Sequence, residues 1–351
     1  MKENLTHYPN HDKLNSVRFL GLDVHLPVFL FTSGLTILFS SLVLIFPEPS
    51  TELLSDTRNF VLNWFDTLFT VSMSSFILVI IFLIVSPFGK IRLGGDRSIP
   101  EFGFISWTCM LFAAGVGIGM TFYGAAEPLS YYTGVFGTPL GVTPGTEEAY
   151  RLAFSATIFH WGISGWSVYA IIGLSLAFFS YNWKLPLTIR SIFYPLLGDK
   201  IWSWQGDLID IVAVLATLFG LATSLGLGAQ QASAGLLYIF ELPNNILSQS
   251  LIIIFITSVA IFSVYRGLDK GVRVLSNINI GLALLLLLFV VLAGPTVKIL
   301  LSYGDNLVNY FQDITRLSDW NRPNDEAWYH DWTIFYWAWW ISWSPFVGMF
   351  I

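Results

Sequence analysis

A tryptophan-rich segment near the end of the chain has the spacing of one helix face. Trp332, Tyr336, Trp339, Trp340 and Trp343 follow the pattern i, i+4, i+7, i+8 and i+11, within about 100° of one another around a helix. Aromatic faces attract a diffuse, methyl-covered cation by cation–π interactions of about 0.5–2 kcal/mol each. The segment therefore predicts one side of a binding site for a quaternary ammonium group.

A second aromatic group, Trp161, Trp166 and Tyr169, falls within about a 140° sector if its segment forms one helix. Trp337 lies beside the first group. The competing explanation for both groups is an interfacial belt, because Trp and Tyr gather at membrane surfaces. A belt would occupy helix ends, whereas Trp339 lies near the middle of its apolar segment. We therefore favour a binding site over a belt.

Acidic residues are missing from the middle of the apolar segments that carry these aromatic groups. A primary ammonium ligand is more often met by an acid, so their absence favours a quaternary one. Glu127, next to Pro128, is expected near an outer helix end and away from a midplane site. His160 lies within a predicted span and could relay protons. Packing against a neighbouring helix is its more common role.

Three alternating glycines, Gly115, Gly117 and Gly119, lie inside one apolar segment. Each costs about 1 kcal/mol relative to alanine in a helix interior. In transporters, unwound backbone near the membrane midplane binds substrates and ions. Close helix packing through small residues explains the same glycines. The sequence thus predicts either a helix break at the site or a close helix contact.

Hydroxyl groups at Thr217, Thr223 and Ser224 precede another pair of glycines. Oxygen atoms at a helix break could coordinate a hard cation such as sodium. Their more common use is to donate hydrogen bonds to carbonyl groups of their own helix.

Composition sets the class of protein that must position these residues. Of the 351 residues, 54% are hydrophobic and only 11% are charged, against about 25% charged in soluble domains. About 20 apolar residues span a membrane as a helix, and the alternation typical of barrel strands is missing. The sequence predicts an all-α polytopic membrane protein. The eight windows of at least 20 residues without Asp, Glu, Lys or Arg are Pro27–Phe46, Thr67–Phe88, Phe102–Ala126, Leu152–Trp183, Ile211–Phe240, Leu242–Tyr265, Val274–Val297 and Trp332–Ile351.

Basic residues predict the orientation of these spans. With a cytoplasmic N-terminus, twelve Lys and Arg residues fall on the inner side and five on the outer side, as the positive-inside rule requires. Residues 298–326 then form an outer stretch with an apolar face at helical spacing, either along the interface or packed as a loop helix. No nucleophile–base pair or metal-ligand cluster is visible, so we expect neither an enzyme nor a nucleic-acid partner.

Several passages together resemble the betaine/choline/carnitine transporter family. The resemblance covers the chain beyond its N-terminal tail. Its residues are Asp331–Trp340, Gly115–Gly119 with Phe122–Gly124 and Ala126–Leu129, Phe159–Gly162 with Trp166 and Tyr169, and Arg266–Gly271 with Leu275–Asn277.

The resemblance implies a LeuT-like fold of two peripheral helices followed by two inverted five-helix repeats. The chain would then be an N-terminal fragment truncated to about eight spans, in a protein that forms a homotrimer. Its segments would be a cytoplasmic tail (1–23), the peripheral helices (24–100), the first repeat (101–297), the outer helix (298–326) and the first helix of the second repeat (327–351).

The resemblance also assigns residues to the site. It implies an aromatic box in which Trp161, Trp166 and Tyr169 face Trp339, Trp340 and Trp343. Trp337 would lie nearby, and the glycine segment would complete the substrate-binding residues. Backbone at Ala113 and Val116 would help to bind sodium, and Thr217, Leu221 and Phe346 match a second proposed ion position. Sodium-coupled betaine carriers have a threonine where this chain has Leu221, which leaves the number of sodium ions open.

Gly119 bears on the coupling ion. Some choline carriers of the family have an acidic residue there and use protons, whereas glycine is similar to the sodium-coupled betaine type. We therefore expect sodium-coupled import of glycine betaine or a similar solute across the cell membrane, with no other cofactor. The alternatives are proton-coupled or exchange transport of choline or carnitine, and a membrane osmosensor that transports nothing.

Overall fold

The computed structural model describes residues 16–19, 22–115 and 117–351. Val116, one of the expected sodium ligands, lies outside the described residues. The strands are β1 Ser16–Phe19 and β2 Leu22–His25. The α-helices are α1 Leu26–Ile45, α2 Pro47–Trp64, α3 Asp66–Val85, α4 Phe104–Gly115, α5 Gly117–Thr133, α6 Glu147–Trp161, α7 Ile163–Ala177, α8 Tyr194–Leu197, α9 Trp204–Phe240, α10 Ile246–Tyr265, α11 Arg273–Ala293, α12 Thr296–Leu317, α13 Glu326–Trp328 and α14 Phe335–Phe350.

Short helical turns connect several of these elements. Turns of 3-10 type occupy Pro87–Lys90, Pro139–Gly141, Ile189–Phe193 and Gly198–Trp202, and π-helical turns occupy Phe178–Asn182, Leu268–Val272 and Tyr329–Ile334. The strands pair antiparallel, with Ser16 opposite His25, and so give structure to the end of the expected N-terminal tail. In the described part of the chain they are the one sheet, and the protein is an all-α polytopic membrane protein as predicted.

Most of the predicted membrane spans are long apolar helices in the structure. Six helical segments of the described chain are long and apolar enough to cross a membrane, and the bent pair α4 and α5 makes a seventh. The eighth window forms α14, whose 16 residues continue from a π-helical turn and pack on α7 and α9. The helical turns before α14 and α14 itself form one continuous helical run from Glu326 to Phe350.

The fourth predicted window is two helices instead of one. Gly162 separates α6 from α7 and has φ −91° and ψ −134°, outside the helical region. A side chain at this position would collide with the Ile158 carbonyl oxygen, 2.5 Å from the ideal Cβ. The prediction that Trp161, Trp166 and Tyr169 share one helix face is therefore wrong, because the helical phase does not carry across Gly162.

Helix α12 forms most of the expected outer stretch. Tyr310 and Leu317 are buried, whereas Tyr303 and Phe311 of the same predicted apolar face are exposed. The buried face packs on α6, and Asp313 accepts hydrogen bonds there from Arg151 at 2.5 Å and from Ser155 at 3.0 Å. A packed helix explains the buried face. Placement along the membrane interface stays a prediction for the exposed one.

The π-helical turn before α14 is attached to the first helices of the chain. The Arg58 guanidinium donates to Asp331 at 3.0 Å, and His330 lies 3.2 Å from Asp66. The Tyr329 and Thr70 hydroxyls also share a hydrogen bond. These contacts join the start of α14 to α2 and α3. They orient the aromatic residues that follow, which belong to the main buried cluster of the described residues.

Candidate functional site

The glycine segment interrupts its helix, as one of the two alternatives predicted. Helix α4 ends at Gly115, and α5 begins at Gly117, where φ is +37°, a left-handed value that favours glycine. The two helical parts of this span are bent by 62°. A Cβ at Gly115 would lie 2.8 Å from the Trp166 ring, and one at Gly119 would lie 2.9 Å from the Trp161 ring. The break thus brings backbone directly against the predicted aromatic side chains.

Four aromatic rings beside this break contact one another, and we call them the aromatic cluster: Trp161, Tyr336, Trp339 and Trp340. The Trp161 ring meets Trp340 edge to face at 4.9 Å between centroids and Tyr336 at 5.5 Å. The Tyr336, Trp339 and Trp340 rings are stacked in turn at 5.6–6.1 Å. The cluster therefore joins the end of α6 to one face of α14.

Trp166 and Tyr169 extend the aromatic cluster along α7. Tyr169 meets Trp340 edge to face at 5.7 Å, and Trp166 meets Tyr169 at 5.8 Å. The Tyr169 hydroxyl is buried and has no hydrogen-bond partner among the described residues. A buried hydroxyl without a partner costs about 1–3 kcal/mol. Tyr169 thus offers a free polar group beside the aromatic faces.

The spacing of the rings determines what the aromatic cluster can hold. A cation bound by cation–π attraction lies within about 6 Å of each ring centroid. The Trp161 centroid is 4.9–6.2 Å from those of Tyr336, Trp339 and Trp340, and its ring is inclined at 70–84° to theirs. Trp161 and the α14 rings are therefore adjacent walls that meet at a corner of the predicted box, and not opposite walls.

Two of the expected substrate-binding residues, Trp343 of the box and the nearby Trp337, face away from the aromatic cluster. The buried Trp337 ring contacts Phe159 at 5.0 Å and His160 at 5.9 Å. Trp343 contacts Phe346 at 4.8 Å, and its ring would be 2.5 Å from a Cβ at Gly220. The structure therefore does not bring Trp337 and Trp343 together with the other predicted box residues.

The expectation that Glu127 lies away from the site is wrong, because its carboxylate contacts the aromatic cluster. Its side chain is fully buried, and it accepts hydrogen bonds from the Trp161 indole at 2.5 Å and from the Tyr336 hydroxyl. The reason is helical periodicity, because Gly119, Tyr123 and Glu127 follow at intervals of four on one face of α5. Tyr123 is 6.2 Å from Trp161 and from Trp339. This interval of four was the signal in the sequence that could have identified Glu127 and Tyr123.

His160 is buried between three elements. Its Nδ1 atom lies 3.2 Å from Glu127 on α5, and its Nε2 atom lies 3.0 Å from the Thr333 hydroxyl before α14. These contacts fit the expected packing histidine that is bonded to a neighbouring helix. The His160 carbonyl also accepts a hydrogen bond from the Trp340 indole at 2.9 Å, which fixes that ring against the end of α6.

The expected ion-binding residues lie in two places. Ala113 is in α4, just before the helix break. Thr217 and Phe346 line a cavity of about 830 Å³ between α9 and α14. The Thr217 hydroxyl donates to the Ala213 carbonyl at 2.9 Å, so its proton is used within its own helix while its lone pairs stay available. Leu221 is exposed. Sodium binding at either place stays a prediction.

A comparison with protein families finds one match that covers most of the chain. The sequence model of the betaine/carnitine/choline family of transporters matches residues 27–351. These residues include every helix described above from α2 to α14 and nearly all of α1.

Curated relatives agree with this match. Glycine betaine transporter 1 of Vibrio parahaemolyticus is 50% identical over 338 residues, which are 96% of this chain and 64% of that protein. The glycine betaine transporter OpuD of Bacillus subtilis is 46% identical over 87% of this chain and 60% of its own length. The high-affinity choline transport protein of Escherichia coli K12 is 40% identical over 99% of this chain and 50% of its own. The chain thus spans about half to two thirds of the length of these relatives.

Proposed function

The chain belongs to the betaine/carnitine/choline transporter family, and from this premise we propose that it acts in the sodium-coupled import of a quaternary-ammonium compatible solute. Glycine betaine is the solute that we propose first. The named relatives carry glycine betaine or choline. The family is one of transporters, so we assign the chain to transport and not to catalysis.

The observation that carries the proposal is the aromatic cluster beside the broken helix. Aromatic rings of α7 crowd the backbone at Gly115, and rings of α6 and α14 crowd it at Gly119, so closely that a Cβ at either glycine would lie within 3 Å of a ring. A trimethylammonium group presents only diffuse charge and methyl surface, and aromatic rings are the protein groups that bind it best. The solute would then cross by alternating access, in which one group of helices rocks against the rest of the protein around the site.

The free hydroxyl of Tyr169 supports a zwitterion as the substrate. Glycine betaine carries a carboxylate one carbon from its ammonium group, and choline carries an uncharged hydroxymethyl group in its place. A phenol that is buried without a partner gains most from a charged acceptor, since hydrogen bonds to charged groups are worth about 1.5–3 kcal/mol. Tyr169 lies 5.7 Å from Trp340 between ring centroids, so it can reach the carboxylate while the rings hold the ammonium group.

Sodium coupling is supported by Gly119 and by the oxygen atoms at Ala113 and Thr217. Glu127 argues in the other direction, because it is a buried carboxylate 3.2 Å from His160. This buried pair favours a second candidate function, proton-coupled or exchange transport of choline or carnitine, because buried carboxylate–histidine pairs can relay protons.

Uptake into proteoliposomes separates the two candidates. Radiolabelled glycine betaine, choline and carnitine are offered with an inward sodium gradient, with an inward proton gradient and with neither. Our proposal predicts betaine uptake that follows the sodium gradient. Uptake that follows only the proton gradient, or only internal substrate, would establish the second candidate. Absence of betaine counterflow in vesicles where betaine binds would favour an osmosensor over both.

The remaining proposals concern the surroundings of the protein. The apolar helices make it a multi-pass membrane protein. We propose that it lies in the cell membrane with its N-terminus in the cytoplasm, surrounded by lipid, and that it forms a homotrimer. Cysteine substitutions at the exposed Arg58 and Lys200, labelled from the outside of intact cells, test the orientation: only the first should react.

A further inference from the structure

Glu127 is a fully buried carboxylate with four hydrogen-bond neighbours. Three of them are uncharged tyrosine or tryptophan side chains, and the fourth is a histidine. Glu127 accepts from the Trp161 indole and the Tyr336 hydroxyl at Oε1, and from the Tyr131 hydroxyl at 3.0 Å and His160 Nδ1 at 3.2 Å at Oε2. We infer that Glu127 is a positioning residue for the aromatic cluster and that its negative charge makes the cluster selective for cations.

The positioning role follows from which atoms the carboxylate contacts. A carboxylate offers about four lone-pair sites, and here each is matched by one neighbour. Two of these neighbours, Trp161 on α6 and Tyr336 on α14, belong to the aromatic cluster. One side chain of α5 therefore fixes the ring orientation on both walls of the cluster.

The charge at Glu127 lacks the compensation that buried carboxylates usually have. Buried charges in proteins are normally paired with an opposite charge. Asp313 follows this rule, since it is equally buried and bonded to Arg151 at 2.5 Å. Among the described residues, no Lys or Arg makes an ion pair with Glu127, and its only titratable base is His160.

The neutral form of His160 satisfies both of its contacts. With its hydrogen on Nδ1 it donates to Glu127, and its Nε2 atom then accepts a hydrogen bond from the Thr333 hydroxyl at 3.0 Å. In this form of His160, the negative charge of Glu127 is left for the ligand. A quaternary ammonium group held by the rings would supply the missing positive charge. It would not touch the carboxylate, but Coulomb attraction between the two charges acts through the rings because the site is shielded from water. The carboxylate also polarises the Trp161 indole, because an N–H group bonded to an anion makes the ring face more negative.

The charge effect rests on the proposed function, whereas the positioning role does not. Both are tested with purified protein in nanodiscs. The probes are glycine betaine and 3,3-dimethylbutanoate, which differ only in the replacement of the ammonium nitrogen by carbon. The variants are Glu127→Gln, which keeps the shape and removes the charge, and Asp313→Asn, which removes an equally buried charge outside the site.

We expect Glu127→Gln to reduce the preference for betaine over 3,3-dimethylbutanoate by about tenfold. Asp313→Asn should leave this ratio unchanged. A ratio that Glu127→Gln does not alter would overturn the charge effect. A wild-type protein that binds neither compound would refute the proposed function, and the positioning role would then be decided by the spectroscopic measurement alone.

That measurement is the indole ¹H–¹⁵N resonance of Trp161, assigned by its loss in Trp161→Phe. An indole bonded to a carboxylate resonates downfield, so we expect an upfield shift in Glu127→Gln without any ligand. Glu127→Asp keeps the charge but withdraws it by one methylene, so it should shift the resonance and retain the ratio. If Glu127→Gln does not fold, Glu127→Asp supplies the test of the positioning role, and Glu127→Met, which also lacks the charge, supplies the test of the charge effect. An unshifted Trp161 resonance in a folded Glu127 variant would overturn the positioning role.

Discussion

Trp340 is the side chain through which the proposed site can be tested most directly. Its ring contacts Trp161, Tyr169 and Trp339 of the proposed box, and it is 4% exposed. Its indole donates a hydrogen bond of 2.9 Å to the His160 carbonyl. Substitution therefore removes an aromatic face, a buried volume and a hydrogen bond, and the three losses can be separated.

Trp340→Ala should lower both stability and binding. Loss of a buried tryptophan costs about 3–5 kcal/mol of folding free energy. Loss of one cation–π contact of about 0.5–2 kcal/mol weakens the binding of glycine betaine by roughly 2- to 30-fold. Trp340→Phe keeps an aromatic face and loses the hydrogen bond, so it should cost only about 1 kcal/mol of stability. Its betaine affinity should lie between those of the wild type and Trp340→Ala.

The assay pairs thermal unfolding with equilibrium binding of radiolabelled betaine on the same nanodisc samples. Tyr310→Ala is the matched control, because Tyr310 is an equally buried aromatic residue at the contact of α12 with α6. We expect Tyr310→Ala to lower the melting temperature as much as Trp340→Ala and to leave the dissociation constant for betaine unchanged. Equal dissociation constants for wild type and Trp340→Ala, at a temperature where both are folded, would refute the assignment of Trp340 to the site.

Three further predictions concern Gly119 and Tyr169 beside the aromatic cluster and Thr217 in the cavity between α9 and α14. Gly119→Ala places a Cβ 2.9 Å from Trp161 and should cost about 1–3 kcal/mol by overpacking. Gly124→Ala on the same helix is the control, because a Cβ at Gly124 would have no other atom within 4 Å and the melting temperature of this variant should not fall. Equal melting temperatures for the two variants would contradict this account. Tyr169→Phe should weaken betaine binding by about tenfold and choline binding less, as measured by competition; an equal loss for both would exclude the hydroxyl–carboxylate contact. Thr217→Val should raise the sodium concentration that half-saturates uptake, whereas an unchanged value would show that the Thr217 hydroxyl serves only its own helix.

Local periodicity explains why much of the fold was visible in the sequence. The apolar windows match the helices because a span depends on its own residues and the bilayer. The interruption at Gly115 to Gly119 was predictable for a similar reason, since glycine weakens a helix wherever it lies. The break at Gly162 was not expected. A single glycine in a long apolar window is compatible with a continuous helix, and only its neighbours decide whether it bends.

For the candidate site, too, local features could be read from the sequence, whereas contacts between helices could not. The amino-acid sequence by itself determined that the protein is an all-α membrane protein and that Tyr336, Trp339 and Trp340 share one face of a helix, because hydropathy and helical spacing are properties of the chain alone. It could not tell which neighbour each side chain meets. The tertiary structure alone turned Trp337 and Trp343 away from the aromatic cluster and placed Glu127 behind it. The direction of a side chain is set by its helix, but its partner is set by how the helices pack, and that depends on contacts between residues distant in the chain.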